Sequence, residues 1–177
     1  MATYNLKVFK YGSPILRKKM PVLEEKPEEL DSLVAEMFDL MAEEEGIGLS
    51  ANQVGKKLRF FTADFSLQDP SLKKRVFINP EIVEREGETQ AEEGCLSLPG
   101  INVKVKRADR IKVNFRDKNF EKHTEEFQGM VSRIIQHETD HLNGKFMTDR
   151  ISPLKRHLVD SKLKELARNT KEELKNR

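Results

Sequence analysis

The chain is almost without cysteine: Cys95 is the only one in 177 residues. An internal disulfide framework is excluded, and a reducing compartment, the cytoplasm, is the expected setting. No apolar run approaches the ~20 residues needed to cross a bilayer, so no membrane association is expected. The N-terminal stretch MATYNLKVFKYGSP lacks the apolar core of a secretory signal and does not read as a transit peptide. Neither sign of charge dominates. Lys+Arg 32 against Asp+Glu 30 leave a net charge of +2, a balance that does not point to a nucleic-acid binder. No internal repeat and no low-complexity linker divides the chain, and its length suits a single domain over 1–177.

Residues 27–45, PEELDSLVAEMFDLMAEEE, have helical spacing: Leu30, Val34, Met37 and Met41 form a stripe that Leu33 and Leu40 widen. Pro27 fits the first turn, Glu28 and Glu29 suit the positive end of the dipole, and Gly46 is the expected stop. Strands are expected over 58–65 and 75–83, rich in Phe, Val and Ile, and over 101–105 and 111–115, which alternate apolar and polar residues. A hairpin turn is expected near Asp117–Asn119. A second helix is predicted from Gly129 to Leu142 with Asn143-Gly144 as its left-handed cap, and a last, basic helix opens at Pro153 and runs to about 175. This order lacks regular strand–helix alternation. It predicts an α+β fold, with antiparallel or mixed sheets around a central helix and a C-terminal helix.

That central helix carries IIQHETDHLNG, residues 134–144. His137 and His141 are four residues apart, so both imidazoles face one way and suit zinc or ferrous iron. Glu138 is placed to reach a metal-bound water without binding the metal itself. The plain alternative is a chance HExxH whose histidines lie in the core or on a solvated face. Two ligands are not enough, and a closed structural zinc site would require several cysteines. His123, in the polar run EKHTEE, and His157, in the basic tail, are read as exposed. Cys95, in EEGCLSLPG, is the better candidate for the third ligand, because a thiolate binds zinc or iron strongly. The competing reading is a buried free thiol that only fills space.

Residues 46–55, GIGLSANQVG, match neither a dinucleotide fingerprint nor a P-loop. A helix cap followed by a loop is one reading. In the other, Gly46 and Gly48 admit a ligand backbone, and Gln53 offers a carboxamide N–H to an oxyanion formed in amide hydrolysis.

Taken together, GIGLSANQ at 46–53, EGCLS at 93–97 and QHETDH at 136–141 resemble the three signature motifs of the peptide deformylase family, in order and spacing. INPEI at 78–82, GKFMTDRISPLK at 144–155 and SPILRKKMPV near the N-terminus agree, and the likeness runs from about residue 5 to 168. The resemblance implies that Cys95, His137 and His141 hold the metal, that Glu138 is the general acid/base, and that Gln53 with the Leu96 backbone N–H holds the oxyanion. It implies a ferrous ion, with zinc, nickel or cobalt able to substitute. The implied reaction removes the formyl group from formyl-methionine at the start of newly made polypeptides, releasing formate. An HExxH zinc peptidase of another type is the alternative, and such enzymes usually take His or Glu as third ligand.

On the implied reaction, Met130 and Ile134 precede His137 on its helix face and could line a methionine pocket with Ile47 opposite; the other reading is that they are simply core. The substrate backbone would pair with residues 46–48 and 94–96, bringing Gly48 and Gly94 against it. Asp140 is expected beside a cation, Arg107 being the candidate, and Arg133 would narrow or polarise the pocket mouth. Ser50 stands where alanine is common in the family, and Asn52 where proline or threonine is often seen. In the tail, Leu154, Leu158, Leu163 and Leu166 can supply an apolar stripe; one reading is a solvated amphipathic helix packed on the body, the other, supported by the resemblance, is docking of its basic face to ribosomal RNA. A monomer acting on N-formylmethionyl nascent peptides completes the expectation.

Overall fold

The computed structural model describes residues 5–176; the first four residues of the N-terminal stretch, and Arg177 of the basic tail, lie outside them. Three helices, α1 (Leu30–Glu43), α2 (Gly129–Leu142) and α3 (Pro153–Lys175), accompany seven strands. These are β1 (Gly48–Ser50), β2 (Phe60–Asp64), β3 (Lys74–Glu86), β4 (Thr89–Glu93), β5 (Val103–Arg107), β6 (Arg110–Arg116) and β7 (Lys122–Gln128). Five strands form one sheet in the order β1-β2-β3-β6-β7, and β4 pairs with β5 in a second. Every pairing among these strands is antiparallel, so the α+β expectation holds without the mixed pairing it allowed.

At β2 and the start of β3 the larger sheet is covered on both faces, which is why these stretches read as continuous apolar runs. Alternate side chains of a strand point to opposite faces. Phe61, Ala63 and Phe77 meet Ile135 and Leu142 of α2 on one side. Phe60, Val76 and Ile78 meet Leu30, Leu33, Met37 and Met41 of α1 on the other. Phe77 sits among rings, stacked on Phe61 at 4.8 Å and 4.5 Å from Phe115.

Several expectations are corrected. Helix α1 begins at Leu30, because Pro27 belongs to a preceding turn in which its carbonyl accepts the Leu30 N–H. The left-handed position after α1 is taken by Glu45 (φ 55°), not by Gly46. Strands β1, β4 and β7 were not expected. Their sequences, GLS, TQAEE and KHTEEFQ, are short or polar on both faces, and edge positions tolerate that. Pro80 lies inside β3, where a register shift between Ile78 and Glu81 and the left-handed Asn79 (φ 51°) accommodate a residue that cannot donate to the ladder. His123 is half-buried, bonded to Asp117 at 2.7 Å and stacked on Phe115.

Helix α3 packs through Leu163 and, in part, Leu166 onto a third cluster with Leu98, Ile101, Val103 and Phe146. Leu154 and Leu158 do not share that stripe and are 76% and 77% exposed. The N-terminal segment crosses α3 at Gly12, where a Cβ would lie 2.9 Å from the Cα of Ala167. Among the described residues no helix is long and apolar enough to cross a membrane.

Truncating Phe77 to alanine is expected to cost about 3–5 kcal/mol, as ring deletions in packed cores do. Urea unfolding would register it as a lower midpoint, and an unchanged midpoint would deny this ring its central place.

Candidate metal centre

Helix α2 is buried nearly all round although half of its residues are polar. From Val131 to Leu142 no residue is more than 9% exposed. His137 and His141, one turn apart, bring their Nε2 atoms to 3.2 Å. The third donor arrives from β4: the chain leaves the strand at Glu93, passes Gly94, and presents Cys95 Sγ at 3.3 Å from His141 Nε2. A Cβ on Gly94 would lie 2.8 Å from Asn102 Oδ1, so a larger residue there would have to displace that side chain. The three donor atoms all lie within 4.8 Å of one another.

This set fits a first-row divalent metal. Bonds of about 2.1 Å to nitrogen and about 2.3 Å to sulfur give a tetrahedron edges of about 3.3–3.6 Å, close to the separations found. Electrostatics agree. Burial opposes an imidazolium at His137, but Cys95 and the carboxylate of Glu93 outweigh it and push its pKa up to about 10. Burial and the neighbouring His137 hold His141 well below its ordinary value. A metal bound at Nε2 would displace the proton held on the His137 ring.

Glu93, which the sequence reading did not single out, anchors the site. Its Oε2 meets His137 Nδ1 at 2.9 Å, leaving Nε2 for the metal. The same carboxylate accepts from Arg107 at 2.6 and 3.0 Å and from Arg133 at 2.8 Å. Asp140 sits between Arg107 (2.9 Å) and Arg150 (2.6 Å), so the expected Arg107 partner is joined by a second cation. Arg133 does not stand free at the pocket mouth. Its guanidinium also donates to the Val105 and Thr89 carbonyls, while the residue still borders the cleft. No local signal marked Glu93: Glu92 and Glu93 face opposite ways on β4, and only the fold shows that Glu93 is the buried one.

The donors open onto a cleft of about 490 Å³. Ile47, Gly48, Gln53, Gly94, Cys95, Leu96, Met130, Ile134, His137 and Glu138 all line it, while His141 lies behind, 1% exposed. Met130 is 45% exposed and faces the cleft, which separates it from the core packing of Ile135. Gln53 is oriented at both ends: Oε1 accepts from the Ser50 N–H at 2.9 Å, and Nε2 donates to Ser97 Oγ at 3.0 Å and points at Cys95 Sγ, 3.7 Å away. The glycines of the first motif admit protein atoms. A Cβ on Gly46 would lie 2.8 Å from Leu96 Cδ1, and one on Gly48 would lie 2.6 Å from Glu138 Oε1. Asn52 ties the same motif to α2, donating to the His141 carbonyl at 2.7 Å.

Burial raises the Glu93 carboxyl, but bonds from His137 and Arg107 outweigh it and bring its pKa from 4.5 to about 2. A depressed carboxylate stabilises the fold above its unfolded value and loses that contribution as pH falls through the folded one. Metal-free protein is therefore expected to lose stability between pH 4.5 and about 2. Melting temperatures of wild type and Glu93→Gln across that window check this: the wild-type curve should fall more steeply, and parallel curves would contradict it.

The profile of the family described as Polypeptide deformylase matches residues 5–157. Among curated proteins, the chain is 43% identical over 169 residues to a peptide deformylase of Thermotoga maritima, covering 95% of this chain and 99% of that one. It is 40% identical over 176 residues to a peptide deformylase of Christiangramia forsetii, covering 92% and 90%. Among solved structures, peptide deformylase from Plasmodium falciparum superposes with a TM-score of 0.86 at 40% identity, over 93% of this chain and 97% of that one. Peptide deformylase 1B from Arabidopsis thaliana superposes at 0.88 and 33% identity, over 95% and 93%. With a family profile that spans most of its length and relatives about 40% identical over nearly the whole chain, the chain belongs to the polypeptide deformylase family.

Proposed function

We propose that this cleft hydrolyses the formyl amide of N-formylmethionyl nascent peptides, yielding formate and a free methionine amine. The chain is a metallohydrolase, and the observation that carries the reading is Cys95 Sγ lying 3.3 Å from His141 Nε2 as third donor beside the HExxH pair. The HExxH peptidase alternative has no support in the donor set or in the relatives. Cys95, His137 and His141 hold the metal, which we take to be ferrous iron; zinc, nickel or cobalt suit the same donors. That metal would supply Lewis acidity, lowering the pKa of a bound water and polarising the formyl oxygen.

Gln53 Nε2–H and the Leu96 N–H donate to the oxygen that becomes negative as the formyl carbon is attacked. Glu138 takes the proton of the attacking water and passes it to the leaving nitrogen, so that the C–N bond breaks as a neutral amine departs. Burial raises the Glu138 carboxyl, against the opposing pull of His137 and Ser50, which suits a group that must both accept and release a proton. Ile47, Met130 and Ile134 receive the methionine side chain. Strand β1 is the outer strand of its sheet, so its free edge, with Gly94 across the cleft, can pair with the substrate backbone as an added strand.

The chain works as one catalytic domain, a monomer in the cytoplasm, with α3 as part of the body. The basic residues of α3, Lys155, Lys162, Lys164 and Arg168 among them, are exposed and suit contact with ribosomal RNA. Anaerobically purified protein should release formate from formyl-Met-Ala-Ser, and Glu138→Ala should lower kcat by about 100-fold or more while metal content stays unchanged. Metal-loaded wild type that releases no formate would refute the reading. Ribosome binding, measured by co-sedimentation, should weaken steeply between low and moderate salt and vanish when α3 is cut after Pro153; salt-independent binding would exclude the basic face.

A further inference from the structure

Strand β1 is three residues long, and each has a separate task. Leu49 points to the α1 side and joins its cluster. Gly48 and Ser50, two residues apart, share the opposite face, toward α2. Gly48 leaves the gap into which Glu138 Oε1 fits. Ser50 is fully buried, and its Oγ lies 2.7 Å from Glu138 Oε2 and 3.1 Å from the Glu138 carbonyl. A hydroxyl has one proton to give, and the shorter, charge-assisted contact is the carboxylate.

We infer that Ser50 is a positioning residue for Glu138, its hydroxyl gripping Oε2 so that Oε1 alone is presented to the cleft. This rests on the deformylase reading of Glu138. Glutamate has three rotatable bonds, and on a helix its carboxylate would ordinarily sample several rotamers. Here Gly48 makes room for one pose and Ser50 holds it. An alanine at this position would leave the same room without the grip. The Ser50 backbone N–H meanwhile orients Gln53 through Oε1. Replacement of the side chain leaves that second contact in place, so the two roles of Ser50 separate by mutation.

The test compares wild type, Ser50→Ala and Ser50→Thr as metal-loaded enzymes on formyl-Met-Ala-Ser, and repeats Ser50→Ala in a Glu138→Gln background. Loss of one hydrogen bond to a charged group should lower kcat of Ser50→Ala by about 10-fold or more, with KM and metal content unchanged. Ser50→Thr, which keeps the hydroxyl, should recover kcat. In the Glu138→Gln background Ser50→Ala should have no further effect on the residual rate. A crystal structure of Ser50→Ala should show the Glu138 carboxylate rotated or in two poses. The inference is overturned if Ser50→Ala keeps wild-type kcat, if it slows the Glu138→Gln enzyme by the same factor, or if the carboxylate stays where it is. Wild type that carries metal and releases no formate would refute the deformylase reading instead, and the crystal structure would then decide on Ser50 by itself.

Discussion

The molecule depends on the burial of a polar helix. Helix α2 carries Arg133, Gln136, His137, Glu138, Asp140 and His141 through the middle of the protein, where an unpaired charge would cost several kcal/mol. Each charged side chain must therefore find a partner, and the partners come from the rest of the chain. Strand β4 brings Glu93 to His137 and Arg133, the end of β5 brings Arg107 to Glu93 and Asp140, and Arg150 reaches Asp140 from beyond the helix. The two-stranded sheet is tied to the helix by these ion pairs as well as by Val103 and Val105, which join the third apolar cluster. The same pairing fixes the imidazoles, so the condition for burying the helix and the condition for presenting metal donors are met by one set of contacts.

How far the sequence foretold this varied with the kind of signal. Residues that act through local periodicity were legible: the stripe of α1, the His137–His141 pair, and the apolar runs of β2 and β3. The match of three short motifs supplied the family and joined Cys95 to a helix 42 residues away. What stayed hidden were elements whose polarity is satisfied at long range. Strand β7 reads as a solvated run because the partners of its glutamates lie on other strands: Glu125 meets Arg75 and Glu126 meets Arg110. Glu93 looked no different from Glu92, because nothing local tells which of two adjacent acids is buried. Leu154 and Leu158 misled in the other direction: helical spacing marked a stripe, but the body meets α3 only further along.

Glycine carries a different lesson. In the first motif its value seemed to lie in admitting a ligand, yet the nearest neighbours of Gly46 and Gly48 are Leu96 and Glu138 of the protein itself. The loop, the Cys95 segment and the helix are packed against one another with no room for a methyl group. The cleft is therefore narrow near the donors, and it opens outward past Ile47 and Met130, both partly exposed. A formyl group, whose carbon bears only hydrogen, is about the smallest acyl group such a space could be asked to hold.

The lone cysteine has one more consequence. Because Cys95 is the only thiol in the chain, no second thiol can trap its oxidised form as a disulfide within the molecule. All of the protein's sulfhydryl chemistry is concentrated at the atom that completes the donor set. A count of free thiols per molecule is then also a count of intact centres, so the loss of this one group would record the ageing of the protein in air.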